Sequence, residues 1–380
     1  MTTTRILLIQ HGAFGDCLMV TTIARQIKQD FPGCHLTWAI GHKWRPVIEN
    51  NPDVDEIWDV DHPVEARSRV KGFVKQEADS RSAQGEFDHV YVTQIYPFNV
   101  SKYDGALRSS MFRIYPNPIT VSKNPVIRLF DSEVRRVEQF AALHQLKTLK
   151  HVILFECAPS SKQSKLDQKK GLALAQELVK ERPDMVVIVS THIPFQTPHP
   201  QIIDGSCLSF RENAALSHYC TLFVGCSSGI TWLLTSEAAK KTPMVLFIDP
   251  KALGSRFASV VYDFEYWGLP SDHIIETGKS DIGEMLRIVL CAMESFDNAR
   301  KRYHEKFKPH FWDFMIFIDY HSPRWCLNLF GTCRLFLTRN RFGWSDFLDV
   351  RRFARVLFFL GEEAYRVMRS RQFNIRHFSP

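Results

Sequence analysis

The chain has 380 residues, enough at about 150 per domain for two domains and a remainder. An apolar fraction of 45% and a charged fraction of 23% are those of a folded globular chain and exclude a disordered one. The net charge of +7 is uneven: residues 296–380 hold 16 Lys/Arg against 8 Asp/Glu, with 14 of the 29 Phe, so a neutral body carries a basic, aromatic tail.

Arg5-Ile6-Leu7-Leu8-Ile9-Gln10 reads as a buried strand ended by a glycine turn. Leu18, Thr22, Ile23, Ile27 and Phe31 then recur at helical spacing, which predicts a helix from about Asp16 to Phe31, stopped by Pro32-Gly33. A strand at His35–Ile40, a short helix at Trp44–Asn50, a strand at Glu56–Val60, a polar helix near 64–80 and a strand at His89–Thr93 follow. The pattern weakens between Tyr96 and Leu149. It resumes with strands at His151–Phe155, Met185–Ser190, Thr221–Gly225 and Met244–Ile248, and helices at Asp167–Glu181, Phe210–Tyr219 and Ile230–Lys240. This alternation predicts the α/β class: two successive Rossmann-like units with parallel sheets, facing each other across a cleft. The expected domains are 1–148, 149–295 and a helical tail, 296–380.

Nine cysteines are scattered without a CxxC pair, which suits neither a zinc site nor a disulfide framework and points to a reducing cytosol. The N-terminal apolar run is too short for a signal peptide, and no stretch approaches the roughly 20 apolar residues of a membrane span. A cytoplasmic protein is expected.

In open α/β sheets ligands bind beyond the carboxyl ends of the strands, so the loops after strands carry the chemistry. The first is His11-Gly12-Ala13-Phe14-Gly15-Asp16. Its glycines allow a tight turn, and Asp16 falls in the first helical turn, where the helix dipole favours a carboxylate. Such a group either accepts a proton from a substrate hydroxyl or simply satisfies amide donors at the helix start. The loop lacks GxGxxG, which argues against NAD. The second loop, Glu156 to Lys165, presents Ser160, Ser161, Lys162 and Lys165 as a cradle for a diphosphate, or as a solvated polar loop. The third, Gly225-Cys226-Ser227-Ser228-Gly229, offers hydroxyls and a helix start to a phosphate; it also matches the G-x-S-x-G elbow of serine hydrolases. Asp249 or Asp263 and then His273 would complete that triad order. Asp59-Val60-Asp61 imitates a metal-binding DxD but reads as a solvated strand end, and His192, His199 and His218 lack metal-ligand spacing.

With these loops in view, the chain resembles glycosyltransferase family 9, the ADP-heptose:lipopolysaccharide heptosyltransferases and their relatives. The opening ILLIQHGAFGDCLMVTTIARQIKQDFPGCHLTWAIGHKWRPVIENNPDVDEIW looks like that family's first unit, and the stretch Gly205–Pro250 like its donor-site unit. The resemblance covers most of 1–60 and 150–250. It implies a GT-B fold and an inverting transferase that moves a sugar from a nucleotide diphosphate donor without a metal or other cofactor. Asp16 matches the family's acid–base residue, with His11, Gly12 and Gly15 on the acceptor side. Ser160, Ser161, Lys162, Lys165, Ser227, Ser228 and Gly229 match the donor-diphosphate positions. Ser227 stands where the family has Asp, and Trp232 where it has His. These departures bear on the donor sugar more than on the transferase class, and they leave open an inactive sugar-nucleotide-binding relative. The implied acceptor is a lipopolysaccharide or other glycan.

In the tail, Phe353, Val356, Leu357, Leu360, Ala364 and Val367 line one helical face and arginines the others. Such a helix either lies on an anionic membrane surface or packs back on the body. Nothing resembles a nucleic-acid motif.

Overall fold

The computed structural model describes residues 3–60, 67–95, 98–157, 164–197, 199–249 and 259–310, with Arg334, Leu337 and Thr338 beyond them. Ser160, Ser161, Lys162, Asp61 and the amphipathic stretch 353–367 lie outside the described residues.

The first sheet has four parallel strands in the order β3-β2-β1-β4: β1 (Arg5–Ile9), β2 (His35–Gly41), β3 (Glu56–Val60) and β4 (His89–Val92). Helix α1 (Phe14–Asp30) links β1 to β2, and α2 (Arg67–Ala83) links β3 to β4. Ten of the 17 residues of α1 are buried, on more than one face, because it is enclosed by its own sheet, by α3 (Leu107–Phe112) and by the second half of the chain. The polar groups that this burial catches are matched. Thr21 Oγ1 accepts the Val126 amide at 2.8 Å, and Gln26 Oε1 accepts those of Thr120 and Val121 at 2.8 and 3.2 Å.

Helix α4 (Asp131–Leu143) leads to the second sheet, six parallel strands in the order β10-β9-β8-β5-β6-β7. These are β5 (His151–Glu156), β6 (Met185–Ser190), β7 (Ile202–Asp204), β8 (Leu222–Gly225), β9 (Met244–Phe247) and β10 (Ile274–Thr277). Between them run α5 (Gln168–Glu181), α6 (Glu212–Leu216), α7 (Gly229–Leu233) and α8 (Val260–Tyr266), and after them α9 (Ile282–Glu294) and α10 (Phe296–Tyr303). One apolar cluster covers the outer face of this sheet with α5 and α9, joining Phe155, Leu174, Val187 and Ile288. A second runs without a break from Leu8, Leu18 and Ile23 of the first half to Leu154, Phe223 and Leu233 of the second.

The α/β class and the pair of parallel sheets are as the strand–helix alternation predicts. Several elements differ from the sequence expectation. The short helix after β2 is a 3-10 turn at His42–Val47 with Pro46 inside it. The helix expected at Phe210–Tyr219 is only α6 followed by a 3-10 turn. The helix expected over Ile230–Lys240 stops at Leu233, because the chain turns away and Glu237 N–H bonds to Pro125 O at 3.2 Å. Helix α10 starts the tail and packs on α9 and β10. Among the described residues no helix is long and apolar enough to cross a membrane.

Candidate functional site

Both sheets change winding direction at a definite place. In the first, β1 has β2 on one side and β4 on the other; in the second, β5 lies between β6 and β8. The carboxyl ends of β1 and of β5 and β8 are therefore the crevice positions of the two units. They carry the His11–Asp16 loop, Glu156, and the Gly225–Gly229 loop.

The first loop is pinned by buried amides that the sequence reading did not single out. Gln10 Nε2 donates to Gly12 O at 2.8 Å and to Gln94 Oε1 at 3.1 Å, and Gln94 Oε1 also accepts the His11 amide at 3.3 Å. Trp44 covers the turn: a Cβ on Gly12 would lie 2.6 Å from its ring, so only glycine fits, and the His11 ring meets Trp44 edge-on at 5.3 Å. Asp16 is half-buried in the first turn of α1, and its Oδ2 accepts the Ala13 amide at 3.2 Å. It thus has the helix-start role while remaining at the crevice end of its sheet.

The third loop comes up against the first. Phe14 stacks on Phe210 with ring centroids 4.2 Å apart, and a Cβ on Gly229 would meet Phe14 Cβ at 2.8 Å. On the other side of α7, the Trp232 ring closes on Gly15, where a Cβ would lie 3.0 Å from Trp232 Cδ1. Ser227 and Ser228 are buried. Ser228 caps α7, its Oγ accepting the Thr231 amide at 3.4 Å. Glu156, at the end of β5, accepts the Cys226 thiol proton on Oε2 at 3.3 Å. Burial of this carboxyl raises its pKa to about 7 against the lowering effects of the neighbouring Cys226 and Ser228.

Trp232 is buried. The Arg108 guanidinium sits 5.1 Å over its ring, and Arg108 Nε pairs with Asp263 Oδ2 at 3.1 Å. Burial raises the Asp263 pKa to about 6, with Arg108 pulling it back down. Lys165 lines a shallow recess at the carboxyl ends of β9 and β10, with Lys170, Asp249, Lys279 and Ser280. Ser227, Ser228 and Gly229 are not among its lining residues.

The hydrolase triad does not assemble. His273 immediately precedes β10, at its amino end, whereas Ser227 follows the carboxyl end of β8; β8, β9 and β10 are parallel, so the length of a strand, about 13 Å, separates their levels. Asp263 is held by Arg108. Among the described residues, positive φ at a non-glycine occurs only at Asn50 and Gln145, so Ser227 lacks the strained backbone of an elbow. Asp59 accepts from His42 and Arg45, as a strand-end carboxylate does. Among the described residues no group of three or more His, Cys, Asp or Glu is placed to hold a metal ion.

No family model matches the chain, and no curated protein does. Among solved structures it is similar to a glycosyl transferase family 9 protein from Veillonella parvula, at 16% identity over 65% of this chain and 81% of that one, with a TM-score of 0.49. It is similar to the E. coli ADP-heptose lps heptosyltransferase II at 15% identity, 65% and 85% coverage and a TM-score of 0.41. It is also similar to the UDP-GlcNAc 2-epimerase of Neisseria meningitidis bound to UDP-GlcNAc, at 9% identity, 78% and 93% coverage and a TM-score of 0.42.

Proposed function

We propose that the protein is an inverting glycosyltransferase that moves a sugar, of the heptose kind in the family it resembles, from a nucleoside diphosphate to a hydroxyl of a surface glycan or glycolipid. One observation carries the reading: the loop bearing Asp16 at one sheet's crevice and the Ser227–Gly229 loop at the other's are in van der Waals contact through Phe14 and Gly229. In this mechanism the acceptor hydroxyl lies against Asp16, gives up its proton as it attacks the anomeric carbon, and the nucleoside diphosphate leaves on the opposite face. Amide donors of the 227–229 loop and a lysine of the 162–165 segment take up the charge that grows on the leaving phosphate, without calling on a metal. Helix α7 has five residues, so local N–H groups rather than a long helix dipole act there. The tail would bring the enzyme to an anionic membrane face, where a lipid-linked acceptor is found.

The test is a panel of ADP-, UDP- and GDP-sugars read by thermal shift and then by transfer. A nucleotide sugar that raises the melting temperature and is consumed with acceptor supports the reading, as does turnover unchanged by EDTA. Asp16→Asn lowers turnover by about two orders of magnitude or more, in the range of general-base removal, with nucleotide affinity nearly unchanged. Near-normal turnover in that variant removes Asp16 as the base. Binding without turnover in the parent protein makes it a sugar-nucleotide-binding relative instead.

A further inference from the structure

Trp44 is a large ring that the fold does not fully enclose. It is half-buried, on the 3-10 turn after β2, and its indole N–H reaches solvent without an acceptor among the described residues. Its seat is made of backbone. A Cβ on Gly12 would lie 2.6 Å from the ring and one on Gly41 2.7 Å, so two glycines, one beyond β1 and one ending β2, let it rest against bare main chain. The His11 ring meets it edge-on at 5.3 Å. Arg211 of the second half holds the same segment, donating to the carbonyls of Pro46 and Glu49, both at 2.7 Å. We propose that Trp44 is a binding platform for a sugar: its ring takes the C–H face of a pyranose, and its N–H donates to one of that sugar's hydroxyls. This rests on the transferase reading, in which the sugar is the terminal pyranose of the acceptor.

Position favours the acceptor. The ring touches Gly12, and the Asp16 carboxylate holds the amide of the next residue, Ala13, at 3.2 Å. Chain geometry along that path keeps ring and carboxylate no more than about 10 Å apart. Chemistry favours a sugar. A pyranose has a face of C–H bonds and a rim of hydroxyls, and an indole offers an apolar face with a single donor at its edge. Polar groups flank Trp44 on the same turn: His42 Nδ1 and Arg45 Nη1 lie 2.9 and 3.1 Å from Asp59 Oδ2, and Lys43 is exposed. They supply donors and acceptors for the remaining hydroxyls. A ring already fixed by glycines and Arg211 loses little freedom when a small ligand lands on it.

The experiment is fluorine NMR of the full chain with its eight tryptophans replaced by 5-fluorotryptophan. The Trp44 resonance is assigned by its loss in Trp44→Phe. The probes are the methyl glycosides of glucose, galactose, mannose and N-acetylglucosamine, with sorbitol as the open-chain control and ADP as a stacking base. At least one glycoside is expected to shift the Trp44 resonance saturably, and sorbitol to leave it in place. Saturation transfer from protein to the C–H protons of that glycoside is expected to fall by about tenfold or more in Trp44→Leu, and by less in Trp44→Phe, which keeps a ring without the N–H. A Trp44 resonance that no glycoside moves, or that only ADP moves, overturns the proposal. If a nucleotide sugar still raises the melting temperature in that case, this inference fails alone. A glycoside that binds at Trp44 in a protein that binds no nucleotide leaves the platform standing and overturns the transferase reading.

Discussion

A methyl group on Gly229 would stand 2.8 Å from Phe14 Cβ and 3.3 Å from the Phe210 ring. Phe14 opens the first helix of one sheet and Gly229 the short helix of the other, so this contact sets the spacing between the Asp16 loop and the serine loop. Real Cβ atoms do not approach so closely, and the neighbours here are a backbone-proximal carbon and a stacked ring rather than a flexible tip. Gly229→Ala is therefore expected to cost about 1–3 kcal/mol, the range of overpacking, and to weaken nucleotide binding as the loops are pushed apart. Urea denaturation measures the first effect and thermal shift with nucleotide the second. An alanine variant as stable as the parent would mean that the loops do not meet this closely.

Trp232 occupies the position where the resembled family has a histidine, and its surroundings are built for a large ring. Arg108 lies over it, Phe264 tilts against it with centroids 6.4 Å apart, and Gly15 is flattened beneath it. Trp232→His leaves a cavity and a polar ring among these partners. The expected loss is about 3 kcal/mol, by comparison with large-to-small core changes, and no activity is gained. A more active Trp232→His enzyme would show that the tryptophan merely blocks an otherwise intact donor site.

Arg211 joins the two halves of the chain. Its Nε and Nη2 grip Glu133 at 2.7 and 2.9 Å, and Nη1 donates to the carbonyls of Pro46 and Glu49, both at 2.7 Å. The side chain is 2% exposed, and a lysine cannot reproduce this fork. Arg211→Lys is expected to cost about 3–5 kcal/mol, because the half-buried Glu133 carboxylate and the carbonyls of Pro46, Glu49 and Arg128 lose donors around a buried charge. Denaturant melts of the single variants and of the Arg211→Met/Glu133→Leu pair check it: the pair is expected to fall short of the sum of the single losses.

What the sequence made legible follows from what is local. The apolar runs of β1, β5 and β6 and the glycine turns after strands announce themselves within a few residues, and so the two α/β units and the three loops were readable. Arg211 and Glu133 are 78 residues apart, and Gln10 and Gln94 are 84 apart. No spacing rule reaches that far. Helix α4 escaped notice because Val134 and Leu143 are exposed apolar residues that blur the buried stripe of Val137, Phe140 and Ala141. The order Ser227, Asp249 or Asp263, His273 looked like a triad in one dimension. Only strand direction shows that His273 lies at the wrong end of the sheet. Glu156 was read as part of a polar loop, and its burial beside Cys226 comes from the β5–β8 pairing, which the sequence does not display.

Glu276, on β10, gives a pH-dependent prediction free of the catalytic question. Its carboxyl is buried, accepts Ser259 Oγ at 2.5 Å and the amides of Val260 and Val261 at 2.6 and 3.2 Å, and burial still raises its pKa from 4.5 to about 7. A carboxyl whose pKa is raised on folding binds its proton more tightly in the folded state. It contributes stability that is fully present below pH 4.5 and is lost as pH rises to about 7. Four histidines (His144, His151, His273 and His304) have pKa values lowered by burial and act in the opposite sense, so the absolute stability curve mixes the two. The difference between wild type and Glu276→Gln isolates the carboxyl, since the histidines are common to both. The wild type's advantage over the variant is expected to shrink steadily from pH 4.5 to 7 and to level off above that. Melting temperatures of both proteins at half-unit intervals measure it, and a constant gap across the range would show that the three hydrogen bonds keep Glu276 ionised throughout.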